Sequence, residues 1–107
     1  MDKKIDQSIT SYIELIKKSY DNLETAYLFG SYVKGNFSNE SDIDIAWIFK
    51  NLDNSKRFDL QVQLMILATQ IDFRIEPHPI SYQHFYSGNP FSVEIRRTGI
   101  ELLPTFR

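Results

Sequence analysis

"LFGSYVKGNFSNESDIDIAW", residues 28–47, carries the pattern from which the fold is read. A β-prone run, "TAYLFG", ends at Gly30, and turn formers follow at Gly35, Asn36, Ser38, Asn39 and Ser41. "DIDIAWIF" then alternates acidic and apolar side chains. The stretch predicts strand, short helical turn with loop, strand. Along the second strand Ile43, Ile45, Trp47 and Phe49 point to one face and Asp42 and Asp44 to the other. Two residues of strand rise put the two carboxylate stems roughly 6–7 Å apart, close enough to converge on cations between them. Magnesium suits such a pair, because it takes one or two protein carboxylates, keeps waters and completes its shell with substrate phosphates. Two ions about 4 Å apart can hold both the attacking and the leaving oxygen of a phosphoryl displacement.

An isolated Asp-x-Asp most often ends a strand or caps a turn. Here Gly30 and Ser31 precede it. Gly30 permits an unusual φ and a close backbone approach, Ser31 offers a hydroxyl, and a helix starting there presents free N–H groups to an anion. Lys34, in the same segment, supplies a point charge for a phosphate. "GSYVKG" does not extend to a P-loop, since Asn36-Phe37 stands where Lys-Ser or Lys-Thr is required. Nor does the Gly-Ser pair complete the glycine pattern of a dinucleotide fold.

Outside this stretch, Ile5, Ile9, Ile13 and Ile16 recur at helical spacing and predict an amphipathic first helix. In "SKRFDLQVQLMILATQI" two apolar rows, Phe58/Val62/Met65/Thr69 and Leu60/Leu64/Leu67/Ile71, predict a second helix with a wide face on the sheet. "IDFRIE", residues 71–76, alternates as a third strand, with Pro77 and Pro79 expected to stop it. Short helical pieces broken by Gly88 and Pro90 should follow, then a terminal strand through Ile100 and Leu102. The expected class is α/β (α+β), a small mixed sheet flanked by helices, in a single domain over residues 1–107.

The 107 residues carry 12 Lys and Arg against 14 Asp and Glu, a net charge of −2 that offers no general attraction for a nucleic-acid backbone. A nucleotide that arrives with magnesium remains compatible, since the metal supplies the positive charge. There is no cysteine, hence no disulfide framework or thiolate metal site. The charged "MDKKIDQS" lacks the apolar core of a signal peptide, and no apolar run is long enough to span a membrane, so a cytoplasmic protein is expected.

Gly30-Ser31, then a gap, then Ser41-Asp42-Ile43-Asp44 resembles the signature of the DNA polymerase β-like nucleotidyltransferase superfamily. Chain length and element order resemble its minimal nucleotidyltransferases. The resemblance implies transfer of a nucleoside monophosphate from an NTP, in the first instance AMP from ATP, to a hydroxyl acceptor. It implies two magnesium ions on Asp42 and Asp44, and a triphosphate held by Gly30 and Ser31, with Lys34 and Ser41 as further nucleotide contacts. The family normally has a third carboxylate on a neighbouring strand, as metal ligand or general base. Asp72 and Glu76 both qualify. Asp72 better fits the hydrophobic-Asp-hydrophobic pattern and is preferred; Glu76 lies nearer the loop and reaches further. Arg74, between them, is expected to form a salt bridge.

Larger superfamily members carry a second helical domain, and this chain does not, so a partner can complete its site. Minimal nucleotidyltransferases resemble the antitoxin halves of two-gene modules whose other member is a HEPN-type toxin. The implied partners are an NTP and a HEPN-type protein, with a second copy of the chain as a further candidate. The alternative to an enzyme is a non-catalytic antitoxin or binding module on the same fold. A calcium-binding domain is disfavoured, because no ligand-rich loop of the EF-hand type is present. His78 and His84 lack ligand spacing and read as structural or exposed, His78 being the better site candidate. Tyr82, Phe85, Tyr86 and Phe91 read as core or partner surface.

Overall fold

A computed structural model of the protein describes residues 3–38 and 40–103; the predicted turn residue Asn39 and the first two residues of the charged N-terminal stretch lie outside them. Helix α1 (Lys3–Ser19) leads to strand β1 (Leu23–Phe29), the one-turn helix α2 (Ser31–Lys34) and strand β2 (Ile43–Phe49). A 3-10 turn (Asn54–Lys56) opens helix α3 (Arg57–Thr69), which returns to strand β3 (Ile75–Ser81). Helices α4 (Tyr82–Phe85) and α5 (Pro90–Thr98) and the short strand β4 (Ile100–Glu101) complete the order. The sheet runs β3-β2-β1-β4, mixed as expected: β2 pairs antiparallel with β1 and parallel with β3.

The central strand β2 separates two apolar clusters by side-chain alternation. Ile43, Ile45, Trp47 and Phe49 pack with Ile5, Ile9, Tyr12 and Ile16 of α1 and Leu64 and Ala68 of α3. Tyr12 meets Trp47 edge to face at 5.4 Å and donates its hydroxyl to the Leu64 carbonyl at 2.8 Å, tying α1 to both strand and helix. On the other face Ala46 and Ile48 pack with Ile80, Phe85 and Ile95. That second cluster covers only part of the face. Asp44, two residues before Ala46, lies beyond it.

The third strand departs from expectation. Residues 71–74 form a turn, and β3 begins at Ile75 and runs through Pro77 and Pro79 instead of stopping at them. The cause is its edge position. The Arg74 carbonyl accepts from the Ile43 N–H at 2.8 Å, so even-numbered residues present their backbone to β2 and odd-numbered ones to the free edge. Both prolines therefore lack an N–H only where the ladder asks for none. They also blunt the edge against further strand pairing, while the Pro77 carbonyl is taken by the Gln61 amide of α3.

Helix α3 also buries less than its two apolar rows predict. Leu64 and Ala68 are buried and Leu60, Leu67 and Ile71 pack partly, whereas Phe58 stays 75% and Ile66 57% exposed, with Val62 and Met65 beside them. A straight helix lays one face on a sheet, and the row of Phe58, Val62 and Met65 falls outside that arc. Among the described residues no helix is long and apolar enough to cross a membrane.

Because Ile45 is fully buried in the central strand, Ile45→Ala should cost about 2–5 kcal/mol. Urea unfolding followed by circular dichroism reads this as a lower midpoint with an unchanged slope.

Candidate active site

The site forms where β1 ends, β2 begins and β3 begins. Gly30 follows β1 with φ +80° and ψ −147°, a backbone conformation that a side chain disfavours. It is also required for space: a Cβ at Gly30 would stand 2.4 Å from Oδ2 of Asp44. The antiparallel register explains the contact, since Phe29 pairs with Asp44 and the next residue of β1's chain passes beside its carboxylate.

Gly30 turns the chain into α2, whose Val33 and Lys34 amides bond back to the Gly30 carbonyl at 3.1 Å. With glycine at the N-cap no side chain competes for the first amides of the turn. Ser31 is the first residue of α2 and half-buried; Lys34 is its last and exposed. Ser41 has a local role, with Oγ accepting from the Ser38 amide at 2.8 Å and its own amide donating to the Ser38 carbonyl at 3.1 Å. It thereby closes the loop that delivers Asp42, which is exposed at the entrance to β2.

The two third-carboxylate candidates separate. In the parallel register Glu76 stands opposite Asp44, so alternation puts the two side chains on one face. Asp72 turns the other way: it accepts from Arg74 Nη2 at 2.7 Å, Arg74 Nε and N at 3.0 Å, and the Ser8 hydroxyl of α1 at 3.1 Å. The expected Arg74 salt bridge is thus to Asp72. Its guanidinium holds the Asp72 carboxyl at about 2, below its ordinary 3.8. Asp72 joins the end of α3 to α1, and the structure does not bring it to Asp42 and Asp44.

A fourth side chain arrives with Glu76. His78, opposite Ala46 in the register, reaches Asp44, with Nε2 3.0 Å from Oδ1. An ionised carboxylate only accepts, so Nε2 is the donor. The His78 ring lies 5.1 Å from Phe29, which also meets Phe91 edge to face at 5.6 Å. The aromatic group read from the sequence therefore divides: Phe85 is core, Phe91 borders the site, and Tyr82 and Tyr86 pair with each other on the surface. His84 is exposed on α4, its amide donating to Ser81. His78 was weakly marked in the sequence because its partner is set by strand register, not spacing.

Asp42 and Asp44 offer hard oxygen donors, and the hole left by the missing Gly30 Cβ is filled by one of those oxygens. This donor set fits magnesium or manganese, with phosphate and water completing the shell. Among the described residues no group of three or more His, Cys, Asp or Glu side chains is already arranged as a metal cage.

A family model described as polymerase beta, nucleotidyltransferase matches residues 11–100. The chain belongs to this nucleotidyltransferase family. Curated proteins give no significant match. Among solved structures, a candidate nucleotidyltransferase from Sulfolobus solfataricus is 20% identical with a TM-score of 0.62, covering 94% of this chain and 86% of that one. A toxin–antitoxin complex with AMP-PNP is 29% identical at TM-score 0.61, covering 92% and 73%. A Shewanella oneidensis complex of a tri-AMPylated HEPN toxin with its MNT antitoxin is 24% identical at TM-score 0.57, covering 94% and 72%. With these neighbours, the chain is a minimal nucleotidyltransferase by fold.

Asp72 carries a pH prediction. A carboxyl held below its unfolded value contributes stability that is complete above about 3.8 and is lost as pH falls through about 2. Asp72→Asn should therefore lower stability at pH 7 by about 2 kcal/mol and flatten the decline between pH 4 and pH 2, read by denaturation at a series of pH values.

Proposed function

We propose that the protein is a magnesium-dependent nucleotidyltransferase that moves AMP from ATP to a hydroxyl of an acceptor, with a HEPN-type toxin protein as the acceptor. The observation that carries the proposal is the seating of Asp44 against Gly30, which puts a carboxylate of the Asp-x-Asp strand beside the Gly-Ser turn. Asp42 and Asp44 hold the metal, Gly30 and Ser31 present backbone N–H groups to the triphosphate, and Lys34 adds charge to it. A magnesium ion held there would neutralise charge on the leaving pyrophosphate and make the acceptor hydroxyl more acidic.

Glu76 serves as the third carboxylate, because strand register sets it beside Asp44 while Asp72 is spent on Arg74 and Ser8. In the transfer, the acceptor oxygen forms a bond to the α-phosphorus as the bond to the pyrophosphate oxygen breaks, and Glu76 takes the hydroxyl proton. Ser41 acts through the loop it closes, holding Asp42 at the strand entrance. The complexes of MNT antitoxins with HEPN toxins, one of them AMPylated, support the choice of acceptor.

A second reading, an antitoxin that binds without turnover, is favoured by the exposed apolar row of α3, a surface suited to a protein partner. The two readings give different mutants. With α-labelled ATP, magnesium and the HEPN-type partner, the wild-type chain should label the partner, and Asp42→Asn or Asp44→Asn should reduce labelling by at least about a hundredfold with the fold retained. Unlabelled partner that nevertheless co-purifies with the Asp44→Asn chain and is neutralised by it would establish the binding module instead.

A further inference from the structure

We propose that His78 is a positioning residue for the cation site, its ring N–H fixing the Asp44 carboxylate against Gly30. The inference rests on the nucleotidyl-transfer reading and extends it to a side chain outside the carboxylate set.

Rotation about the last side-chain bond of an aspartate is soft, with broad wells, so a carboxylate on an open sheet face needs contacts to hold one plane. Among the described residues, Gly30 and His78 provide such contacts to Asp44, on different oxygens. The backbone at Gly30, following β1, closes against Oδ2, and His78 of β3 bonds Oδ1 at 3.0 Å. Contact with Gly30 alone bars one direction and leaves the torsion free in the other. The bond from His78 removes that freedom. It also places a donor beside a carboxylate whose in-register neighbour, Glu76, carries like charge.

His78 is itself well fixed. Pro77 and Pro79 flank it, each with φ locked by its ring, and the imidazole rests 5.1 Å from Phe29. Stability is a poor explanation for the pair. The side chains are 33% and 22% exposed, and ion pairs reached by solvent add little to folding. Orientation of a metal-binding carboxylate is what such a bond supplies: ligands are held by their own hydrogen-bond partners, and loss of one typically costs 10–100-fold in metal affinity.

Two substitutions separate the N–H from the ring. His78→Phe keeps an aromatic ring against Phe29 and removes the donor; His78→Gln removes the ring and keeps an amide N–H. Manganese binding to the purified chain, read by electron paramagnetic resonance, is compared for wild type, both variants and Asp44→Asn, with thermal melting as the check on folding. The expected result is a dissociation constant raised about tenfold or more in His78→Phe and near wild type in His78→Gln. Unchanged affinity in folded His78→Phe overturns the proposal. So does equal loss in both variants, which would assign the effect to ring packing. Should wild type and Asp44→Asn bind manganese alike, the carboxylates are no cation site, and the nucleotidyl-transfer reading fails together with the role of His78.

Discussion

The contact between Gly30 and the Asp44 carboxylate is the constraint on which the site depends. One residue has to satisfy two demands, a backbone at φ +80° and the absence of a Cβ, and only glycine meets both. The contact exists because β1 and β2 pair antiparallel with Phe29 opposite Asp44, so the chain leaving β1 must pass the carboxylate. The same turn starts α2, with Gly30 as its N-cap. The chain turn and the placement of the Asp44 carboxylate thus come from one piece of strand pairing.

The rest of the sheet keeps that pairing rigid and keeps the face above it open. Helices α1 and α3 cover the face of β2 that carries Ile43, Ile45, Trp47 and Phe49. On the opposite face, α4 and α5 bring Phe85 and Ile95 against Ala46 and Ile48. Asp44 is one alternation beyond Ala46 and lies outside that apolar cover. Partial cover is what allows one strand to be both a fully packed core element and the floor of a polar site. Asp72 and Glu76 show the same division at the start of β3, the former spent in joining α3 to α1 and the latter facing Asp44.

Much of this was legible from the chain alone, and the exceptions share a cause. Strand alternation and helical periodicity are local, so α1, β1, β2, the turn at Gly30-Ser31 and the facing of Asp42 and Asp44 follow from neighbouring residues. The continuation of β3 to Ser81 did not, because Pro77 and Pro79 are forbidden in a central strand and harmless on an edge, and edge position is a property of the whole sheet. Which of Asp72 and Glu76 stands beside Asp44 depends on parallel register, which no local pattern encodes. The contact of His78 with Asp44 depends on the same register. In α3 both apolar rows were visible, but which row meets the sheet is decided by packing, and Phe58 and Ile66 ended on the outside.

The most direct measurement of the central claim is a crystal structure of the protein with manganese and a non-hydrolysable ATP analogue, with the metal located by its anomalous scattering. The account predicts manganese bound by carboxylate oxygens of Asp42 and Asp44, Glu76 turned toward it, the triphosphate over Gly30 and Ser31, and Asp72 still on Arg74. Manganese bound at Asp72, or a nucleotide held away from Gly30 with no metal on Asp44, would contradict it.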